Sequence, residues 1–169
     1  LIFSLLIIII TGLILRLNYV GLEVPITLDG LSYFQYAINI SQTGGLPNTF
    51  TPSNNGWPIF LSIFFTLSRF DNVIEFMQLQ KIITIIISSL TVIPVYFLCR
   101  KFFERNISLI GAAIFIFEPR IIQNSLFGIT ESLYLLLGTI SLVLFLSSKK
   151  FIYISFGLVA LLTMVRAEG

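Results

Sequence analysis

The chain alternates long apolar runs with short polar interruptions, and the length of each run limits what it can do. Residues 1–19 are apolar apart from Ser4, Thr11, Arg16 and Asn18. At about 1.5 Å per residue, such a helix just crosses a hydrocarbon layer of about 30 Å. Arg16 lies near its far end, a position from which a long cationic side chain is expected to snorkel to the headgroups. A second run, 81–99, is equally long, with a possible start near Asn72 and Pro94 as its expected kink. Three shorter runs, 103–117, 130–146 and 151–165, complete an expected set of five crossings. Thr130 is the expected cap of the fourth, and Ile121 to Gly128 reads as a mixed turn before it.

Residues 20–80 read differently, as a long loop with structure of its own. Pro25 separates it from the first run. Thr27 or Asp29 can then cap a helix through about Ser41. Tyr33, Ala37 and Ile40 fall at helical spacing, with Gln35, Asn39 and Gln42 interleaved, so this helix is expected to be amphipathic and interfacial. Thr43-Gly44-Gly45-Leu46-Pro47 stops it. After a polar loop, Trp57 to Leu67 is apolar but far too short to cross, so it is expected to lie along the interface with Trp57 as a belt aromatic.

Composition sharpens the class. Of 169 residues 56% are hydrophobic and 11% charged; a soluble domain carries about 25% charged residues. The expected fold class is therefore all-α, a polytopic helical membrane protein. The absence of histidine excludes His-based metal and acid–base chemistry, and a single cysteine, Cys99, excludes an internal disulfide. Net charge is only +2 with the basic residues scattered, which argues against nucleic acid as a partner. Titrating chemistry falls to Asp, Glu, Lys or Tyr. The chain starts without Met and stops straight after an apolar run, so residues 1–169 read as the single N-terminal transmembrane module of a longer chain. The first run lacks a charged leader and a cleavage site, so it reads as a crossing and not a signal peptide.

Alternating crossings sort the charges onto two sides. One side holds Arg100, Lys101, Arg105, Lys149 and Lys150 against Glu104. The other holds Arg16, Arg69, Lys81, Arg120 and Arg166 with Glu23, Asp29, Asp71, Glu75, Glu118, Glu131 and Glu168. Short basic turns flush with helix ends face the cytoplasm. The expected protein is thus multi-pass, in the cell membrane or a eukaryotic endoplasmic reticulum, with a cytoplasmic N-terminus and the acids outside.

Asp29 leads the chemistry: a carboxylate at the outer surface, just beyond the first crossing, which can equally cap the next helix. Tyr33 and Tyr36 follow it and also suit interfacial aromatics. Glu118 is either a second outward carboxylate or the surface partner of Arg120. Glu131 stands at a helix N-terminus, where the dipole favours an acid. Arg166 either snorkels, pairs with Glu168, or presents its fork to a phosphate. No phosphate-binding glycine loop, metal-ligand spacing or serine elbow is present.

Four stretches, in this order, resemble a known family. Asp29-Gly30-Leu31-Ser32-Tyr33-Phe34-Gln35-Tyr36-Ala37 resembles the first outer loop of the GT-C membrane glycosyltransferases, closest to glycosyltransferase family 39, the protein O-mannosyltransferase and aminoarabinose-transferase-like group. Asn55-Gly56-Trp57-Pro58-Ile59-Phe60-Leu61 resembles the family's Gly-aromatic-Pro stretch. The segment from Pro119 to Thr130-Glu131-Ser132-Leu133-Tyr134 resembles its passage into helix four. Arg166-Ala167-Glu168-Gly169 resembles its Arg-Pro-Glu-Gly, with Ala167 in place of Pro. Gly30 stands where the mannosyltransferase branch often has Glu.

The resemblance implies inverting transfer of a sugar from a polyprenyl-phosphate donor to a protein, lipid or glycan acceptor at the outer face. Asp29 would be the general base, with Glu118 as the second catalytic candidate. Tyr33, Tyr36, Arg120, Glu131 and Arg166 are the substrate-binding candidates, Arg166 at the donor phosphate. No cofactor follows; relatives that need a divalent metal use paired acids in both loops, and no such set is recognisable here. A transporter fragment and a non-catalytic membrane scaffold are the alternatives. Transporters place polar residues near the midplane, whereas these charges gather at run ends.

Overall fold

The computed structural model describes residues 2–22, 26–47, 55–68 and 72–166. Among them the chain is helical throughout. Helix α1 (Ile2–Tyr19) is followed by α2 (Leu28–Thr43) and α3 (Gly56–Leu67), which pack on each other, and then by α4 (Val73–Leu90) and α5 (Val92–Cys99). After a turn come α6 (Arg105–Phe117), α7 (Pro119–Leu126), α8 (Glu131–Phe145) and α9 (Ile152–Val165), the last entered through a 3-10 turn at Lys149–Phe151.

Local chemistry sets these boundaries. Thr27 caps α2, its hydroxyl accepting from the Gly30 amide at 3.2 Å, and Gly44 ends the helix at φ +70°. Of the two expected starts of the second long helix, the one near Asn72 holds and not Lys81: the helix begins at Val73, and the Asn72 side chain accepts from the Ile74 amide at 3.0 Å. Thr91 keeps both ladder bonds, to Ile87 and from Val95; α4 and α5 meet there because Pro94 lacks an N–H and cannot bond the Leu90 carbonyl four residues back. Residues 119–126, expected as a mixed turn, form α7: Glu118 caps it, accepting from the Ile121 amide at 2.7 Å, and Pro119 occupies the first turn. Thr130 is helical itself and makes no side-chain cap to α8, contrary to expectation.

Among the described residues two helices are long and apolar enough to cross a membrane: Ile2–Tyr19 and the combined Val73–Cys99. Arg105–Phe117 and Pro119–Leu126, bent by 48° to each other, make a third if taken as one span. Helices α8 and α9, the other expected crossings, have 15 and 14 residues, lengths of about 21–23 Å at helical rise.

The largest core joins α2, α3, α4, α8 and α9 through Phe34, Trp57, Leu61, Phe65, Ile83 and Leu133. Edge-to-face pairs Phe34–Phe65 (5.7 Å) and Phe65–Phe76 (5.3 Å) run through it. A second core, built on Val92, Tyr96, Ala112 and Ile116, takes Leu5, Ile8 and Ile9 from α1. The rows exposed from α1 (Ile2, Phe3, Leu6, Ile7, Ile10, Ile14) and α9 (Tyr153, Ile154, Phe156) are what an apolar solvent would cover.

Arg16 does not snorkel. It is fully buried, its Nη1 donating to the Gly12 carbonyl (3.1 Å) and its Nη2 to Ser88 Oγ (3.4 Å) on α4, while its Nε has no partner. Gly12, one turn earlier, admits the Ile116 side chain of α6, with which a Cβ there would collide, and the same Cβ would stand 3.3 Å from Arg16 Nη1. Trp57 is likewise not a belt residue: it is buried, and its indole N–H donates to the Gly128 carbonyl at 3.3 Å.

Candidate functional site

A polar hub on α4 holds together the end of the bundle that carries Asp29. Gln80 is completely buried, and its Nε2 donates to two carbonyls: Gly128 at 2.6 Å and Gly30 at 3.2 Å. The next residue, Lys81, donates to the Gly21 carbonyl at 2.7 Å, and Thr84 Oγ1 donates to the Ser125 carbonyl at 2.8 Å. One turn of α4 thereby ties down the exit of α1, the start of α2 and the end of α7. Trp57 adds α3 by its bond to the same Gly128 carbonyl.

Glycine is needed at both contacts with this hub. Gly128 has φ +72°, in the left-handed region, and a Cβ there would meet Gln80 at 3.2 Å. A Cβ on Gly30 would stand 3.0 Å from the Phe127 carbonyl oxygen. The first turn of α2 is therefore fitted closely against the α7–α8 connection.

Asp29 sits in that turn, one residue before Gly30. Its side chain is exposed, and Thr27 supplies the cap, so the carboxylate is not occupied as the N-cap. Among the described residues it makes no hydrogen bond or ion pair. Tyr33, one turn on, is half-buried and packs against the main core. Tyr36 is 2% exposed and belongs to the interior, so of the two tyrosines only Tyr33 has a surface to offer a ligand.

The other sequence candidates flank the hub. Glu118 does not pair with Arg120; one of its oxygens caps α7, and Arg120 is exposed. Glu131 and Arg166 form an ion pair at 2.9 Å between the start of α8 and the end of α9, both partly exposed. They meet because α8 and α9 pack directly on each other; α3 is seated tightly against the end of α9, where a Cβ on Gly56 would lie 2.8 Å from the Met164 backbone. Beside the α2 entry, a cavity of about 410 Å³ is lined by Tyr19, Gly21, Ile26, Thr27, Lys81 and Phe127. Among the described residues no three Asp, Glu, Cys or His side chains gather as a metal set.

Sequence reasoning did not single out Gln80, although the helix start near Asn72, eight residues earlier, puts it inside a helix. Chemically, the arrangement offers an unoccupied carboxylate on a turn fixed from below, and a guanidinium–carboxylate pair on helices seated around the same hub. Comparison with protein-family models, with curated proteins and with solved structures finds no match to this chain.

Proposed function

We propose that the protein is a membrane glycosyltransferase of the GT-C kind, moving a sugar with inversion from a polyprenyl-phosphate donor to an acceptor at the outer membrane face. The observation that carries this reading is the state of Asp29. It is exposed, free of the capping role, and mounted on a turn that Gln80 and the Phe127–Gly128 backbone hold in register. A general base needs a free carboxylate at a defined position, because a misplacement of about 1 Å can cost on the order of 10²-fold in rate.

In this reading Asp29 accepts the proton of the acceptor hydroxyl as its oxygen attacks the anomeric carbon. The bond from that carbon to the donor phosphate breaks, and polyprenyl phosphate leaves. Arg166, held by Glu131 at 2.9 Å, stabilises the charge gathering on the phosphate. Tyr33 contacts substrate beside Asp29, and Arg120 is a further exposed cation for the donor. Glu118 holds α7 through its cap, and Tyr36 supports α2 from within. The topology proposed with this reading has five crossings, a cytoplasmic N-terminus, and Asp29 outside.

Membranes containing the protein, supplied with polyprenyl-phosphate sugars radiolabelled in the sugar, should release free polyprenyl phosphate as label moves to an acceptor. Arg166→Ala should reduce that release on the order of 10²-fold. Label transfer at the rate of membranes lacking the protein, across a panel of hexose and pentose donors, would overturn the reading.

A further inference from the structure

Further along α4 and α5 from Gln80, about 15–25 Å away by helical rise, lies a feature that sugar transfer does not use. A groove of about 400 Å³ runs between α5 and α8, and every residue lining it is apolar. Leu90, Pro94 and Phe97 form one wall; Ile140, Val143 and Leu144 form the other. Pro94, at the α4–α5 junction, is part of the lining.

The mouth of the groove is basic. Arg100 and Lys101 follow Phe97 within about one helical turn, after Leu98 and Cys99, and Lys149 and Lys150 follow α8 after a three-residue turn. All four side chains are exposed. Lys101 reaches across from the α5 end to the α8 end, its Nζ donating to Ser147 Oγ at 3.0 Å, and Arg100 folds onto the Phe103 carbonyl at 2.7 Å. Retention of positive charge on one membrane side calls for basic residues at this end, but it does not require them to bracket a groove.

We propose that this groove binds an anionic phospholipid of the surrounding bilayer, one acyl chain lying between α5 and α8 and the headgroup phosphate held by Lys101, Lys149 and Lys150. Charge selects the occupant. A transmembrane helix of a partner would fill the apolar walls equally well but would not call on the cations at the mouth. A neutral phospholipid would fill the groove and leave those cations to water. Juxtamembrane lysines favour anionic lipid by an amount that, for one or two effective contacts, corresponds to about tenfold or more in affinity.

The test is native mass spectrometry of the detergent-purified protein titrated with equal amounts of phosphatidylglycerol and phosphatidylcholine bearing identical chains. The expected result is a lipid adduct at one protein per lipid, with phosphatidylglycerol retained about tenfold over phosphatidylcholine. The variant Lys101→Ala/Lys149→Ala/Lys150→Ala, altered only at exposed positions, should bind both lipids equally. Val143→Phe, which fills the groove, should lower both adducts together. Equal retention by the unaltered protein, a preference that survives the triple substitution, or a dimer mass in place of the lipid adduct would each overturn the proposal. Asp29→Asn should leave the lipid preference unchanged, so this site and the transfer reaction stand or fall separately.

Discussion

Gln80 does more for the end of the bundle carrying Asp29 than any charged residue in it. Its amide nitrogen joins two carbonyls from segments 98 residues apart in sequence, Gly30 and Gly128, in a place that water does not reach. Gln80→Leu keeps the approximate bulk but leaves both carbonyls without that donor. Each such hydrogen bond contributes about 1 kcal/mol net, and the Gly128 carbonyl keeps the Trp57 indole as a donor. The variant should therefore lose on the order of 1–2 kcal/mol, read as a lower midpoint of thermal unfolding in detergent. An unchanged midpoint would mean that the two bonds contribute nothing net. Arg16 teaches the complementary lesson. Position near a helix end suggested the headgroups, but the side chain turned inward, where the Gly12 carbonyl and Ser88 offer oxygens. Spacing along one helix cannot reveal an acceptor on another.

Among the helices, the long apolar runs were the legible part. The first helix and the amphipathic second helix stand where periodicity put them, with Gln35, Asn39 and Gln42 outward and Phe34 and Ala37 inward. The short interfacial run became α3, but its aromatic belonged to the core, since an indole N–H can be satisfied by a backbone carbonyl as well as by a headgroup. Helix α7 was missed because it is only eight residues long, although its apolar and polar residues segregate to opposite faces; the sequence Glu118-Pro119 was also a start signal, an acceptor followed by a proline in the first turn. Contact between elements was the illegible part. Helix α3 approaches α9 so closely at Gly56 that a Cβ would lie 2.8 Å from the Met164 carbonyl carbon. Gly56→Ala should therefore force the two helices apart and cost on the order of 1–3 kcal/mol. Gly157→Ala on α9, where nothing lies within 4 Å, should cost nothing and gain helix propensity. Equal melting of the two variants would contradict the close seating of α3.

For the whole molecule, charge is divided by end. The turn after α5 and the turn after α8 carry Arg100, Lys101, Arg105, Lys149 and Lys150, whereas Asp29 and Glu131 lie around the hub at the other end. That division underlies the proposed orientation, and it can be read with a membrane-impermeant thiol reagent. In a Cys99→Ala background, Leu28→Cys, at a position 84% exposed, should label in intact cells, and Lys150→Cys only after the membrane is opened. Labelling of both from one side would contradict an odd number of crossings between them, and reversed labelling would put Asp29 in the cytoplasm.

The central claim is that the Asp29 carboxylate takes a proton during sugar transfer, and one substitution isolates it. Asp29→Asn keeps the size and the exposed position of the side chain, leaves the Thr27 cap intact, and removes only the base. Membranes containing this variant should fold and melt as the unaltered protein does. They should transfer radiolabelled sugar from a polyprenyl-phosphate donor on the order of 10²- to 10⁴-fold more slowly. Transfer at an undiminished rate would show that the proton goes elsewhere, and that Asp29 is only an exposed acid in the first turn of a helix.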